Sequence, residues 1–252
     1  MSTATERIMR ERGDLKCLHE PFMYYYYLTL KQQPFPFFDV DPNQPASFEG
    51  IVAMLEETAR NDPVFFKDMG YYVSSHIQHH PDLASRWQHV FIIRDPRKSI
   101  LSYHRLDPGI SLEEIGLEAQ WQLYEWIKET KGRGTTPASA ISEIVVLQAE
   151  ALQRDPVTVM NLAWKKLGLG PADHAFQWNE TTTPTDWQAV AGWHESAQAS
   201  MGITQAREQT EDEMNRQFNA VADDYPKLHQ YLAHHWPFYE KLKAVSDQQF
   251  GF

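Results

Sequence analysis

Residues 91–106 read FIIRDPRKSILSYHRL, the segment most informative about the architecture of the chain. The apolar run HVFII (89–93), which overlaps its start, has the length and the β-branched content of a buried strand. Asp95 followed by Pro96 is typical of a helix start, with aspartate as the N-cap and proline at the first helical position. The pattern therefore predicts a strand that leads through Arg94 directly into a helix.

The junction after this strand has the chemistry of an anion site. In an open parallel sheet, ligands bind outside the carboxyl ends of the strands, where a helix N-terminus offers unpaired N–H groups. Arg97 and Lys98 fall in the first helical turn, where cations are unfavourable unless something negative lies nearby. Ser99 and Ser102 share a helix face, so their hydroxyls join Arg94 around one point. We expect phosphate or sulfate there; the alternative is an ordinary connection with a solvated basic turn.

Composition places the chain among globular proteins. Of its 252 residues, 42% are hydrophobic and 23% are charged, and the formal net charge is −11. This charge argues against binding to nucleic acid or to a membrane surface, but a local basic site can still bind an anionic nucleotide. The single cysteine, Cys17, excludes an internal disulfide framework and fits a reducing compartment. No apolar run has the length of a membrane helix, so we expect a cytoplasmic protein.

Strands and helices alternate along the chain. Strand-like runs occur at LKCLH (15–19), VFFKD (64–68), HVFII (89–93) and EIVVL (143–147). Thr3 and Glu6 have the spacing of a capping box at the start of a first helix. The alternation predicts a parallel sheet with helices on both faces, which is a three-layer α/β/α fold. We predict one domain over residues 1–252, with a helical C-terminal extension over 208–245.

The spacing Arg94-x-Pro96-x5-Ser102, directly after an apolar strand, resembles the 3′-phosphate-binding segment of the sulfotransferases that use 3′-phosphoadenosine 5′-phosphosulfate (PAPS). Further segments that resemble this family are LHEPF, FFKDMGYYV, VVLQAEALQRDPVTVMNLAWKKLGL, WQAVAGWHESAQASMGI and PFYEKLKAVS. The resemblance implies a P-loop type of fold and transfer of a sulfuryl group from PAPS to a hydroxyl or amine of a small-molecule acceptor. It also implies that Arg94 and Ser102 hold the 3′-phosphate of the nucleotide.

The start of the chain departs from the family pattern. Family members begin with a strand and a loop reading approximately Pro-Arg-Ser/Thr-x-Ser-Thr, whose N–H groups cradle the 5′-phosphosulfate. Ser2-Thr3-Ala4 matches the last residues of this loop, and the strand and Pro-Arg are absent. We expect the native protein to carry that strand upstream, and the loss of the loop could inactivate this form. Ser2 and Thr3 remain as 5′-side contacts. The resemblance of the late segment adds Trp193 and Ser200 as nucleotide contacts.

Three side chains near strand ends are candidates for the chemistry. Glu20 follows the run LKCLH, and as a partly desolvated carboxylate it could take the proton of the acceptor. The alternative is a carboxylate that binds backbone N–H groups at the turn, and the resemblance favours catalysis. His19 is the competing base, although its place in a strand favours a hydrogen-bonded core histidine. Lys67 could neutralise charge on the transferred group; the alternative is a salt bridge with Asp68 or another acid.

Other functions remain open from the sequence. HIQHH places His76, His79 and His80 at spacings that suit a metal on a helix, but Pro81 breaks that helix, so we predict no metal. A P-loop kinase or nucleoside triphosphatase would need a Gly-x4-Gly-Lys-Ser/Thr loop, which is absent from this sequence. A non-catalytic nucleotide-binding or scaffold protein that retains the fold is the other alternative.

Overall fold

A computed structural model describes residues 1–32, 38–133, 143–178, 184–190, 192, 200–203 and 207–251. The chain divides into two compact units. The first unit comprises Met1–His76 and Ala172–Thr204, and the second comprises Ile77–Pro171 and Gln205–Phe252. One domain over residues 1–252 stays a prediction, because compact units of this kind can belong to one domain or to two.

The first unit is built around a pair of parallel strands. Strand β1 (Lys16–His19) pairs with β2 (Val64–Lys67) in a register that places His19 opposite Lys67. The helices of this unit are α1 (Ser2–Glu11), α2 (Pro21–Tyr24), α3 (Phe48–Ala59) and α4 (Gly70–Ile77), with a π-helical segment at Tyr25–Lys31 and 3-10 turns at Asp173–Phe176 and Thr185–Val190. Helix α1 packs against both strands and α3 packs against β2, which buries apolar side chains such as Ile8 and Ile51 completely.

The second unit contains another parallel pair. Strand β3 (Val90–Ile93) pairs with β4 (Val145–Gln148), with Val90 opposite Val145. The helices of this unit are α5 (Pro81–Arg86), α6 (Pro96–Leu106), α7 (Leu117–Arg133), α8 (Ala149–Arg154), α9 (Pro156–Lys166), α10 (Glu211–Ala222) and α11 (Lys227–Phe250), with a 3-10 turn at Glu113–Ile115. Helix α11 packs against β4, α6 and α7, so the helical C-terminal region forms part of the core of this unit.

The sequence prediction of an α/β fold with parallel strands is confirmed. Each predicted strand overlaps one of the observed strands, and both observed pairs are parallel. The larger three-layer sheet of the P-loop type, with a further strand, stays a prediction. None of the described helices is long and apolar enough to cross a membrane.

Side chains cap the outer edge of each strand pair. In the first unit the backbone N–H of His19 donates to Oδ2 of Asp186 at 3.0 Å. In the second unit the N–H of Val146 donates to Oε1 of Gln249 at 2.9 Å, and Nε2 of Gln249 donates to the carbonyl of Ile144 at 2.6 Å. These side chains satisfy backbone groups that the edge of a strand pair would otherwise leave without a partner.

The predicted capping box at the start of α1 is wrong. The helix begins at Ser2, and no side chain caps its first turn. Oγ1 of Thr5 instead donates to the carbonyl of Met1 at 3.2 Å. Glu6, the predicted partner of Thr3 in the box, is completely buried. The capping pattern assumes that this glutamate lies free at the helix surface, whereas packing of α1 against the strands turns it inward.

Candidate functional site

A buried ion pair lies at the carboxyl ends of β1 and β2. Glu20 follows β1, Lys67 ends β2, and Nζ of Lys67 contacts Oε1 of Glu20. Each side chain is 9% exposed. The parallel register explains the contact, because the backbone N–H of Glu20 donates to the carbonyl of Lys67 at 2.8 Å. The structure thus joins two residues that the sequence placed at neighbouring strand ends.

Glu20 has a backbone conformation that residues with a Cβ atom seldom adopt. Its φ of 39° and ψ of 53° are left-handed, and Pro21 begins α2 directly after it. Such a conformation costs about 1–3 kcal/mol and persists only where surrounding contacts hold it. In addition to the ion pair with Lys67, the hydroxyl of Tyr72 donates to Oε2 of Glu20 at 3.2 Å, and the N–H of Phe22 donates to Oδ2 of Asp68 at 3.3 Å. Strain of this kind is concentrated at functional sites.

The charges around the ion pair are strongly perturbed. Burial lowers the pKa of Lys67, but the charges of Glu20 and Glu6 oppose burial, and the pKa lies above its ordinary value. Burial and the charge of Glu20 raise the pKa of Asp68 well above its ordinary value. Oδ1 of Asp68 is buried and has no hydrogen-bond partner among the described residues. The ammonium and carboxylate of the pair therefore lie beside a carboxyl group that resists ionisation.

His19 is held by the buried carboxylate of Glu6. Nδ1 of His19 lies 2.6 Å from Oε2 of Glu6, while Oε1 of Glu6 accepts from the indole N–H of Trp187 at 2.8 Å and from Nε of Arg10 at 2.9 Å. Nε2 of His19 lies 3.8 Å from Oε1 of Glu20. The imidazole therefore lies between the carboxylates of Glu6 and Glu20. It is buried and hydrogen-bonded, as in the core-histidine alternative that the sequence favoured over a catalytic base.

The pKa of Glu6 makes this cluster sensitive to acid. Burial raises that pKa, but the hydrogen bond to His19 and the charges of His19, Lys67 and Arg10 together outweigh burial and lower it from 4.5 to about 2. A carboxyl group with a lowered pKa in the folded state stabilises the fold above its unfolded pKa. This stabilisation is complete above pH 4.5 and is lost as the pH falls through about 2.

We therefore expect Glu6→Gln to lower the free energy of unfolding at pH 7 by about 3 kcal/mol, because each pKa unit corresponds to about 1.4 kcal/mol. The difference from the parent chain should shrink as the pH falls below 4.5. Urea unfolding at pH 7, 5 and 3.5 measures this dependence. Glu57→Gln, which changes an exposed carboxylate paired with Arg60, is the control and should have little effect. A loss for Glu6→Gln that is equal at all three pH values contradicts the expectation.

In the second unit, the strand–helix junction forms as the sequence predicted. Strand β3 ends at Ile93, Pro96 lies in the first turn of α6, and Oδ1 of Asp95 accepts from the N–H of Arg97 at 2.9 Å. Arg94 lies between strand and cap and is partly buried. Its guanidinium forms no hydrogen bond or ion pair with the residues that the structure describes. A cation that has no hydrogen-bond or ion-pair partner among the described residues thus lies beside a helix N-terminus.

The guanidinium of Arg97 is hydrogen-bonded to side chains of the protein. Its Nε and Nη2 donate to Asp95 at 3.0 and 2.5 Å, and its Nη1 donates to Glu211 and Asn215, each at 2.7 Å. The guanidinium also lies 5.0 Å from the ring centroid of Trp236. The sequence predicted a negatively charged group near the cations of the first turn. For Arg97, the carboxylates of Asp95 and Glu211 are such groups. Arg97 therefore has a structural role, tying α6 to α10 and α11.

The serines of α6 differ in their partners. Oγ of Ser99 donates to the carbonyls of Asp95 at 3.3 Å and Pro96 at 3.2 Å, so this hydroxyl is occupied within its own helix. Ser102 is partly buried, and in the described part of the chain its hydroxyl has no hydrogen-bond partner. Of the two hydroxyls that the sequence placed near Arg94, only that of Ser102 is available to a ligand.

The remaining candidates lie in the first unit. Ser2 and Thr3 form the first turn of α1 and are partly buried. The carbonyl of Ser200 accepts from the indole N–H of Trp178 at 2.7 Å. Trp193 lies outside the described residues. The nucleotide contacts of these four residues (Ser2, Thr3, Trp193 and Ser200) therefore stay predictions.

Among the described residues, no group of three or more His, Cys, Asp and Glu side chains is arranged to hold a metal ion. His76 of the HIQHH segment lies on α4, and its Nε2 is 2.6 Å from the hydroxyl of Tyr25. His79 and His80 lie beyond the end of that helix, before Pro81 begins α5. The three imidazoles are therefore not aligned on one helix face.

A cavity of about 270 Å³ opens in the first unit beside β1. His19 and Pro21, which flank Glu20 in the chain, are among its lining residues. About half of its lining residues are apolar, and the polar ones include the carboxylates of Asp39, Asp41 and Asp186. A concave site with both apolar and polar groups can bind a small molecule.

One comparison with known proteins identifies a family for the chain. A family model described as a sulfotransferase domain matches residues 1–245. A protein of Arabidopsis thaliana, branched-chain-amino-acid aminotransferase-like protein 1, is 28% identical over 123 residues, which is 49% of this chain. The match covers only 20% of the length of that protein. No solved structure matches the chain.

Proposed function

The chain belongs to the sulfotransferase domain family, and we propose that it transfers a sulfuryl group from PAPS to a hydroxyl or amine of a small-molecule acceptor. The observation that carries the proposal is the guanidinium of Arg94, partly buried and without a partner among the described residues. Burying a cation without a counter-charge costs stability. Binding of an anion at this position offsets that cost, and the 3′-phosphate of PAPS is such an anion.

The donor is held at its phosphate groups. Arg94 and Ser102 bind the 3′-phosphate, because a guanidinium and a free hydroxyl are both suited to phosphate oxygens. Ser2 and Thr3 contact the 5′ side, where the N–H groups of the first turn of α1 and its dipole favour negative charge. Ser200 and Trp193 are proposed as further contacts to the nucleotide.

Glu20 and Lys67 carry out the transfer. The carboxylate of Glu20 takes the proton from the acceptor as its oxygen or nitrogen attacks the sulfur. The bond between the sulfur and the 5′-phosphate oxygen breaks, and its electron pair leaves with adenosine 3′,5′-bisphosphate. Lys67 keeps Glu20 ionised before this step. Once Glu20 is protonated, the ammonium loses its counter-charge and is free to neutralise negative charge on the reacting groups.

The cavity beside β1 is proposed as the acceptor site. Its volume of about 270 Å³ suits a small molecule. Its lining includes His19 and Pro21, the residues on either side of Glu20, whereas Glu20 itself is not among the lining residues. The mixture of apolar and carboxylate groups favours an acceptor that combines an apolar body with a hydroxyl or amine.

The proposal is tested by incubating the chain with radiolabelled PAPS and a panel of acceptors that contains a phenol, an alcohol, an amine and an amino sugar. Label should appear on at least one acceptor, and Glu20→Gln should slow the transfer by a factor of about 100 to 10,000. Binding of the nucleotide without transfer to any acceptor would favour a non-catalytic nucleotide-binding protein. Transfer of phosphate from ATP would favour a kinase.

A further inference from the structure

Helix α6 carries a row of polar side chains beyond Arg94. Ser102 and Arg105 are three residues apart, and Lys98 lies four residues before Ser102, so the three share one helix face. Ser102 is partly buried and Arg105 is exposed. The side chains of Lys98, Ser102 and Arg105 form no hydrogen bond or ion pair with any residue that the structure describes.

Many other cations of the second unit are paired with acids. The pairs are Arg86–Asp82, Arg97–Asp95, Arg154–Glu208, Lys166–Glu143, Arg207–Glu213 and Lys243–Asp247. Acidic side chains are plentiful in a chain of net charge −11. The absence of acidic partners along this face of α6, among the described residues, is therefore not explained by a shortage of acidic side chains.

Arg94 and Arg105 are close enough to repel each other. Burial lowers the pKa of Arg94, Glu150 and Asp95 raise it, and the charge of Arg105 lowers it further. The two acids have other contacts: Asp95 binds Arg97 at 2.5 Å, and Oε1 of Glu150 accepts from the N–H of Asp95 at 3.1 Å. Neither acid forms an ion pair with Arg94 in the described structure. The charge of Arg105 thus acts on Arg94, although the charges of Glu150 and Asp95 act on it more strongly.

We propose that Arg105 is a third ligand of the 3′-phosphate, in addition to Arg94 and Ser102, and that it makes the site selective for a phosphate monoester. This inference rests on the proposed function. A phosphate monoester carries a charge of about −1.5 to −2 at pH 7 and has three acceptor oxygens. Two guanidinium groups and one hydroxyl match this charge and this number of acceptors. The repulsion between the arginines is relieved when the dianion lies between them.

The test is calorimetric titration of adenosine 3′,5′-bisphosphate and of adenosine 5′-monophosphate, which lacks the 3′-phosphate. Arg105→Gln should weaken binding of the bisphosphate about tenfold and leave the monophosphate almost unchanged, because one charge-assisted contact to the 3′-phosphate is lost. Arg105→Lys should recover part of the affinity. Arg86→Gln removes a charge from another exposed arginine of the same unit and should change neither ligand.

The outcomes separate the inference from the proposed function. If the unmodified chain binds the bisphosphate but Arg105→Gln leaves its affinity unchanged, or weakens both ligands equally, Arg105 is not a ligand of the 3′-phosphate and the proposed function stands. If the unmodified chain does not bind the bisphosphate, the proposed function fails and the inference fails with it. Thermal unfolding checks that Arg105→Gln is folded, which we expect because this exposed side chain has no partner in the described structure.

Discussion

Arg94→Gln is expected to weaken the binding of adenosine 3′,5′-bisphosphate about 100-fold, because it removes a partly desolvated guanidinium that can bind phosphate through two hydrogen bonds. The free energy of unfolding should stay the same or rise slightly. The reason is that its removal breaks no hydrogen bond or ion pair with the described residues and relieves the cost of burying a cation. Calorimetric titration and urea unfolding measure the two effects on the same protein.

Arg97→Gln is the matched control, three residues further along the same junction. Arg97 is 3% exposed and binds Asp95, Glu211 and Asn215. Its removal should cost about 2–3 kcal/mol of unfolding free energy, because it leaves the buried carboxylate of Asp95 without its charged donor. Its effect on the affinity for the bisphosphate should be much smaller than that of Arg94→Gln. The assignment of the anion site is contradicted if Arg94→Gln lowers the free energy of unfolding while Arg97→Gln lowers the affinity for the bisphosphate.

Glu20→Gln is expected to lower the free energy of unfolding by about 3 kcal/mol, because it leaves the ammonium of Lys67 buried without its counter-charge. Lys67→Met should cost a similar amount, since it leaves the carboxylate of Glu20 buried and unpaired. The double variant Glu20→Gln/Lys67→Met removes both charges, so it should be within about 1 kcal/mol of the parent chain. Urea unfolding of the four proteins at pH 7 forms a complete double-mutant cycle.

The same variants separate stability from chemistry. Both proteins that carry Glu20→Gln should be slower in sulfuryl transfer by a factor of about 100 to 10,000, because the proton acceptor is gone whether or not the fold is restored. Recovery of transfer in the more stable double variant would show that Glu20 supports the fold only. Glu57→Gln changes an exposed carboxylate of the same unit and should alter neither quantity.

Local rules predicted the junction at Arg94. The strand before it, the Asp95 cap and Pro96 in the first turn of α6 all follow from short-range preferences, and the structure has each of them. The contact between Glu20 and Lys67 could be predicted from the sequence for a related reason. Parallel strands end at the same edge of a sheet, so residues at those ends are brought close together.

The partners of Glu6 and Arg97 could not be predicted in this way. Glu6 binds Trp187 across a separation of 181 residues, and Arg97 binds Glu211 across 114 residues. No spacing rule relates positions so far apart, and the local rule for Glu6 gave a capping box that burial prevents. The sequence indicated Asp68 only as a possible ion-pair partner of Lys67. The raised pKa of its carboxyl group could not be predicted, because it depends on burial and on the charge of Glu20.

The most direct test of the proposed donor site is titration of adenosine 3′,5′-bisphosphate into the unmodified chain, with adenosine 5′-monophosphate titrated in parallel. We predict saturable binding of one bisphosphate per chain, much tighter than binding of the monophosphate, and the loss of this preference in Arg94→Gln. A folded chain that binds neither nucleotide, or that binds both equally with or without Arg94, would contradict the proposal that this protein uses PAPS as its sulfuryl donor.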